Sequence, residues 1–211
     1  YISRVITSAS RNPDGTIDPA SIQYADGTLG DGSGRRVVGQ PTPTNQQSLS
    51  SDLTLFGDLS VFALFDRKGG NELFANSQGG RNPGSITPGA NSRFGERWAF
   101  RQSQETPVAQ AMMEQDRLVG DHDAVFIHDG EFIKFRELTV SYRLPNSITR
   151  SFGSSNARIY AGARNLFTIT DFPEPWDPES REEGARDNLL AVVGNALPPS
   201  QVLYGGLEVR F

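Results

Sequence analysis

The feature that most constrains this chain is the alternation of its connection lengths. Five segments carry period-two hydrophobic patterning, and the stretches between them are in turn short, long, short and long. Leu49 to Phe56 and Leu59 to Arg67 are separated only by Gly57-Asp58, which predicts a tight hairpin. Leu49, Leu53 and Leu55 fall on one side of it, opposite Ser50, Asp52 and Thr54. In its partner, Leu59, Val61, Ala63 and Phe65 oppose Ser60 and Asp66, with Phe62 and Leu64 blurring the pattern. A stretch of roughly sixty residues, Lys68 to Glu131, then intervenes, far longer than compact domains usually carry without structure or function of its own. Inside it, Pro107 to Glu114 reads as a short helix with proline in its first turn.

Phe132 to Leu144 is the clearest strand. Leu138, Val140, Tyr142 and Leu144 share a side, and Glu137, Thr139, Ser141 and Arg143 share the other. Pro145-Asn146 stops it, because proline cannot donate to a ladder. After a turn through Gly153 to Asn156, Ala157 to Thr170 alternates again, followed by the acidic, proline-containing stretch Asp171 to Ser200. The last segment, Gln201 to Phe211, sets Leu203, Gly205, Leu207, Val209 and Phe211 against Tyr204, Gly206, Glu208 and Arg210. Tyr1 to Ser8 reads as the tail of a strand, and a polar stretch rich in Asp-Gly turns follows it to Gln47.

Composition supports an all-β reading: 22 Gly and 13 Pro in 211 residues mark many turns. No window reaches the roughly eighteen consecutive apolar residues of a membrane helix, and mean hydropathy is −0.44. An antiparallel transmembrane β-barrel passes that filter, because its strands alternate lipid-facing apolar with interior polar side chains. Short turns at one rim and long loops at the other are its habit. Alternating strands with long loops also occur in soluble lectin-like sandwiches, so the residues alone leave both architectures open. The net charge of −5 argues against nucleic-acid binding, and the absence of Cys removes disulfides, thiolate nucleophiles and cysteine-built zinc sites. No signal-type stretch opens the chain, which predicts that it begins inside a larger protein.

Four stretches, in order, resemble the SusC/RagA branch of TonB-linked outer-membrane transporters. Gly39-Gln40-Pro41-Thr42-Pro43 with Leu53-Thr54-Leu55-Phe56 looks like that family's Gly-x-Pro-x-Pro lead-in to a strand. Asp129 to Pro145 is similar to its most recognisable strand, closing on Tyr142-Arg143-Leu144-Pro145. Arg158 to Thr168 looks like the strand holding Asn-Leu-Phe-Thr, here Asn165-Leu166-Phe167-Thr168, with Asp177-Pro178-Glu179 beyond it. The terminal Tyr204 to Phe211 resembles the aromatic signal read by the barrel-assembly machinery, with Tyr204, Val209 and Phe211 as its residues.

The resemblance implies that residues 1–211 are the C-terminal portion of a barrel of about 22 strands, its plug and upstream strands lying elsewhere. Such a transporter imports a bulky nutrient, oligosaccharide or peptide, and is no enzyme. Its implied partners are the TonB–ExbB–ExbD complex, a SusD-like surface lipoprotein, the barrel-assembly machinery, outer-membrane lipid and the rest of the barrel. Long loops would be extracellular and the C-terminus periplasmic. Leu138, Val140, Tyr142, Leu203, Leu207, Val209 and Phe211 would face lipid. The alternatives are a secreted carbohydrate-binding β-sandwich, or an outer-membrane barrel with another role.

Three clusters are candidates for local chemistry. Phe172, Trp176 and Asp177 lie in a proline-stiffened loop where aromatic rings can meet substrate or a lid. Asn12, Asp14, Thr16 and Asp18, and separately Asp26 to Asp31, resemble calcium loops, but the full spacing and closing Glu of an EF-hand are missing, which favours surface turns. His122 and His128 neighbour aspartates, yet no nucleophile, base and oxyanion set accompanies them, so no cofactor or catalysis is expected.

Overall fold

The computed structural model describes residues 1–75, 105–119, 123–172, 177–180, 192–193 and 198–211. Strands β1 (Ile2–Ser3), β2 (Ile6–Ser8), β3 (Gln23–Tyr24) and β4 (Arg36–Val37) precede the long strands β5 (Asn45–Leu55) and β6 (Leu59–Gly69). Then come β7 (Glu72–Ala75), helix α1 (Pro107–Val119), β8 (Ile127–Asp129) and β9 (Phe132–Arg143). The short helix α2 (Asn146–Thr149), β10 (Asn156–Thr170), β11 (Val192–Val193) and β12 (Val202–Arg210) follow. The chain divides into two compact units.

The first unit comprises Thr44–Gly69, Glu131–Asp171 and Pro198–Phe211. It is one antiparallel sheet in the order β5-β6-β9-β10-β12, so sheet neighbours are also successive long strands of the chain. Among the described residues β5 and β12 have one neighbour each, and the sheet is open rather than a closed cylinder. Every long connection leaves or enters it at the same end, since the strands alternate in direction and the short turns join the opposite ends.

The first short turn is one residue longer than the sequence predicts. Leu55 pairs with Leu59, so Phe56 joins Gly57 and Asp58 in the connection. Phe56 and Gly57 both have positive φ, 53° and 81°, the handedness of a primed hairpin turn that matches strand twist. The second short connection folds as α2 and a further helical turn, Arg150–Phe152, ended by Gly153 at φ 75°. There the amides of Gly153 and Ser154 cap the carbonyls of Arg150 and Thr149, at 3.2 and 3.0 Å.

The sheet is not regular along its length. Between Leu64 and Phe65 on β6 no residue intervenes, whereas their partners on β9, Glu137 and Phe135, are separated by Arg136. On β10 the corresponding partners are Arg164 and Phe167, so that strand carries one more extra residue than β9. Asn165 lies in this bulge with φ 52°, a left-handed conformation that asparagine tolerates better than most residues.

The second unit comprises Tyr1–Pro43, Gly70–Gly130 and Phe172–Leu197. The sequence predicts long connections here with one short helix at Pro107 to Glu114; the structure shows that helix, extended to Val119, together with small sheets that the sequence does not announce. β7 is flanked by antiparallel β8 and parallel β11, and β1–β4 and β2–β3 form two further pairs. The expected single strand at Tyr1 to Ser8 is therefore two, belonging to different sheets. Apolar residues scattered through the segments converge in small cores, one of Leu73, Phe172 and Val193 and another of Ile6, Ile17 and Ala111. Helix α1 supplies Ala111, and its start is capped by the Thr106 hydroxyl, which accepts from the Ala109 amide at 3.1 Å. It runs on to Val119 because Gln115, Arg117 and Leu118 are good helix formers and the first glycine is Gly120.

Candidate functional site: the two faces of the long sheet

Register assigns each side chain of the sheet to a face. On one face, Leu55, Leu59, Tyr142, Ile159 and Leu207 form a row across all five strands. The next rows are Leu53, Val61, Val140, Ala161 and Gly205, then Ser51, Ala63, Leu138, Ala163 and Leu203. Past the bulges the same face continues with Leu49, Phe65, Phe135 and Phe167. The extra residues on β9 and β10 bring these apolar side chains into line. Phe65 and Phe135 stack with centroids 4.3 Å apart, and Phe167 meets Phe135 edge-on at 5.4 Å.

These side chains are not a core. Leu203 is 83% exposed, Leu49 68% and Leu207 60%. Uncovered apolar surface of this extent is costly in water, so a surface of this kind marks a membrane or a partner. From Leu59 to Arg67 the face spans eight residue steps, about 26 Å along the strand at the usual rise. Arg67 closes it at the long-connection end, where its guanidinium donates to Glu131 at 2.9 and 2.6 Å and to Asn45 at 3.3 Å.

The opposite face carries Phe62 and Leu64 of β6 and Val202 of β12 but is otherwise mainly polar, and it is cross-linked. Tyr204 reaches from β12 across Gly162 on β10 to β9, where its hydroxyl donates to Glu137 at 2.7 Å and meets the Thr139 hydroxyl at 2.5 Å. Arg164 bonds the other oxygen of Glu137 at 3.3 Å and stands 5.5 Å from the centre of the Tyr204 ring. Tyr160 lies in the same way over Gly206, where a Cβ would sit 2.6 Å from its hydroxyl. Towards the long connections, Asp66 accepts from Ser48 at 2.6 Å and from Arg136 at 2.8 Å, so the residue that makes the β9 bulge also closes an ion pair.

Leu138, Val140, Tyr142, Leu203, Leu207 and Val209 share the apolar face, as the alternation predicts. Phe211 follows the last strand and is exposed. Tyr204 occupies the opposite, polar face, as the alternation of the last segment predicts, and is hydrogen bonded there. Two residues of the expected substrate or lid contact lie among the described residues. Phe172 is buried with Leu73 and Val193 and sits edge-on to His128, and Asp177 caps a turn through the Glu179 amide at 2.8 Å. A ring held in a core has no free face for a ligand. Trp176 and His122 lie outside the described residues.

The calcium-like runs fold as turns. Thr16 donates its hydroxyl and amide to Asp14, at 2.6 and 2.9 Å, and these bonds hold the Asp14 carboxyl below its usual pKa. Ser33 does the same for Asp31. Among the described residues no three His, Asp or Glu side chains converge. Burial holds His128 down at about 4, so it is neutral at ordinary pH. No described helix is long and apolar enough to cross a membrane, which leaves strand-built spans untouched.

In an alignment of 207 positions that covers 93% of its length, the chain is 26% identical to TonB-dependent receptor P3 of Formosa agariphila. In sequence the chain is similar to a TonB-dependent receptor. The fold of this receptor-like chain agrees. A chain of the RagAB peptide transporter superposes with a TM-score of 0.64 at 20% identity over 99% of the chain. The RagAB peptide importer in its closed-closed state gives 0.63 at 19% identity over 99%, and in its open-open state 0.62 at 19% over 100%. The chain spans about a fifth of the length of these proteins: 20% of the Formosa receptor and 22% of each RagAB chain. No family model matches it.

Proposed function

We propose that this chain forms part of the wall of an outer-membrane, TonB-dependent transporter that imports a bulky nutrient, an oligosaccharide or a peptide. The observation that carries the reading is the exposed apolar face spread over all five strands, backed by a polar, ion-paired face. In hydrocarbon every backbone N–H and C=O must be paired, so the edge strands β5 and β12 require further strands, closing a barrel of about 22. Lipid then covers Leu138, Val140, Tyr142, Leu203, Leu207, Val209 and Phe211, while Glu137, Arg158 and Tyr204 line the interior.

In such barrels long connections are extracellular and short turns periplasmic, which puts Phe56 and Phe211 at the periplasmic rim. The partners in this reading are the TonB–ExbB–ExbD complex as energy source, a SusD-like surface lipoprotein over the long connections, and the barrel-assembly machinery. The RagAB neighbours, named for peptide import, give the peptide half of the substrate range a precedent. Transport by binding and gated passage needs no bond chemistry.

This chain has no cysteine of its own, and single cysteines at Leu203, Leu207, Glu208 and Tyr160, introduced into the full-length protein with any cysteine elsewhere replaced by serine, can carry spin labels. In bilayers, labels at 203 and 207 are expected to be relaxed by oxygen and shielded from a water-soluble nickel chelate, with the opposite at 160 and 208. Chelate access at all four sites would leave a soluble protein and remove the transporter reading.

A further inference from the structure

At the short-turn end of the polar face, Arg143, Asn156, Arg158, Glu208 and Arg210 line an open hollow. Arg143 on β9 stands directly opposite Arg158 on β10, which in turn opposes Glu208 on β12. Like charges directly opposed on neighbouring strands are unfavourable. The hollow contains a single carboxylate to offset three guanidiniums. Glu208 accepts from Arg158 at 2.7 Å and its other oxygen lies 3.6 Å from Arg210. Among the described residues, the Arg143 side chain makes no hydrogen bond or ion pair. The cluster therefore holds an excess of two positive charges and one guanidinium with its donors uncommitted.

We propose that Arg143, Arg158 and Arg210 form an oxyanion subsite that takes the phosphate or carboxylate group of a free anionic solute. A guanidinium presents paired N–H donors in the spacing of two oxyanion oxygens, and an anion between Arg143 and Arg158 relieves the repulsion that their register imposes. The hollow is open and its side chains exposed, which suits an exchangeable solute. Glu208 competes with that solute for Arg158 and Arg210 and so tunes the subsite to weak, reversible binding. The inference rests on the reading of this face as lining the barrel interior, but its test needs no transport.

The test uses the full-length protein in detergent micelles at low ionic strength, with inorganic phosphate as probe and phosphorus NMR linewidth as readout. Arg143→Gln is expected to weaken phosphate binding roughly two- to fivefold, the scale of an exposed charge pair, and Glu208→Gln to strengthen it by a similar factor. Added sodium chloride should weaken both. Heat-dependent gel mobility verifies that each barrel is folded, and Arg210→Gln replaces Arg143→Gln if that variant does not assemble. Equal phosphate affinity in all the proteins overturns the proposal. So does an absence of phosphate binding in both the unsubstituted protein and Glu208→Gln, the result expected if a carboxylate of the protein itself fills the hollow.

Discussion

Tyr204 on β12 and Glu137 on β9 are joined by a 2.7 Å hydrogen bond that spans the strand between them, and Gly162 is the residue the tyrosine crosses. A Cβ at position 162 would meet the ring, with Cε2 only 2.7 Å away. Gly162→Ala is therefore expected to cost about 1–3 kcal/mol through overpacking. Tyr204→Phe, which keeps the ring and loses the hydroxyl, should cost about 1 kcal/mol. Urea unfolding of the micelle-bound protein measures both. A neutral Gly162→Ala would show that the ring does not lie flat on the strand.

Asn165 explains in backbone terms why the sequence reads Asn-Leu-Phe at the bulge. Its φ of 52° is forbidding for a β-branched side chain, and its amide donates to the Ser200 carbonyl at 3.0 Å. Asn165→Val is expected to destabilise by at least about 1–2 kcal/mol, the cost of a left-handed L-residue. Asn165→Gly should lose less, since only the side-chain bond goes. The reverse order in unfolding midpoints would contradict the bulge geometry.

The central row of the apolar face ends at Leu203, so an arginine there would enter the deepest part of a bilayer. Leu203→Arg should reduce the stability of the folded barrel by about 2–4 kcal/mol in lipid vesicles. Ser141→Arg, on the polar face, should change it little. Equal effects of the two substitutions would mean that the faces are not distinguished by lipid.

His128 gives a pH dependence whose sign follows from its burial. Its folded pKa of about 4 lies below the ordinary 6.5, so between these values the unfolded segment binds a proton that the folded one excludes. The stability this residue contributes is full above about pH 6.5 and falls as pH drops towards 4. Hydrogen-exchange protection of residues 72–74 and 127–129, corrected for intrinsic rates, should decline over that window. His128→Gln should flatten the decline, and an unchanged slope in that variant would assign it to other groups.

The sheet was largely legible in the sequence because a half-exposed strand writes its faces locally. Leu138, Val140 and Tyr142 announce one face with no knowledge of any neighbour, and the glycines, prolines and aspartates around them mark where pairing stops. The second unit was far less legible. Leu73, Phe172 and Val193 come from separate stretches that carry no period, so nothing in their local sequence says they meet. Phe172 was readable as an aromatic in a stiff loop, and only its burial shows that it packs inside a core.

By itself, then, the order of residues determined the strand-forming segments, the side of each strand that is apolar, and the alternation of short and long connections, since these depend on a two-residue period and on turn chemistry within a few residues. Tertiary structure decided the register. It placed extra residues at Arg136 and Asn165 so that Phe135 and Phe167 join the apolar face, laid Tyr204 across Gly162, and set Arg143 against Arg158. Those outcomes depend on which residues of distant segments stand opposite one another, and each strand's pattern is compatible with several registers until its neighbours' side chains and bulges select one.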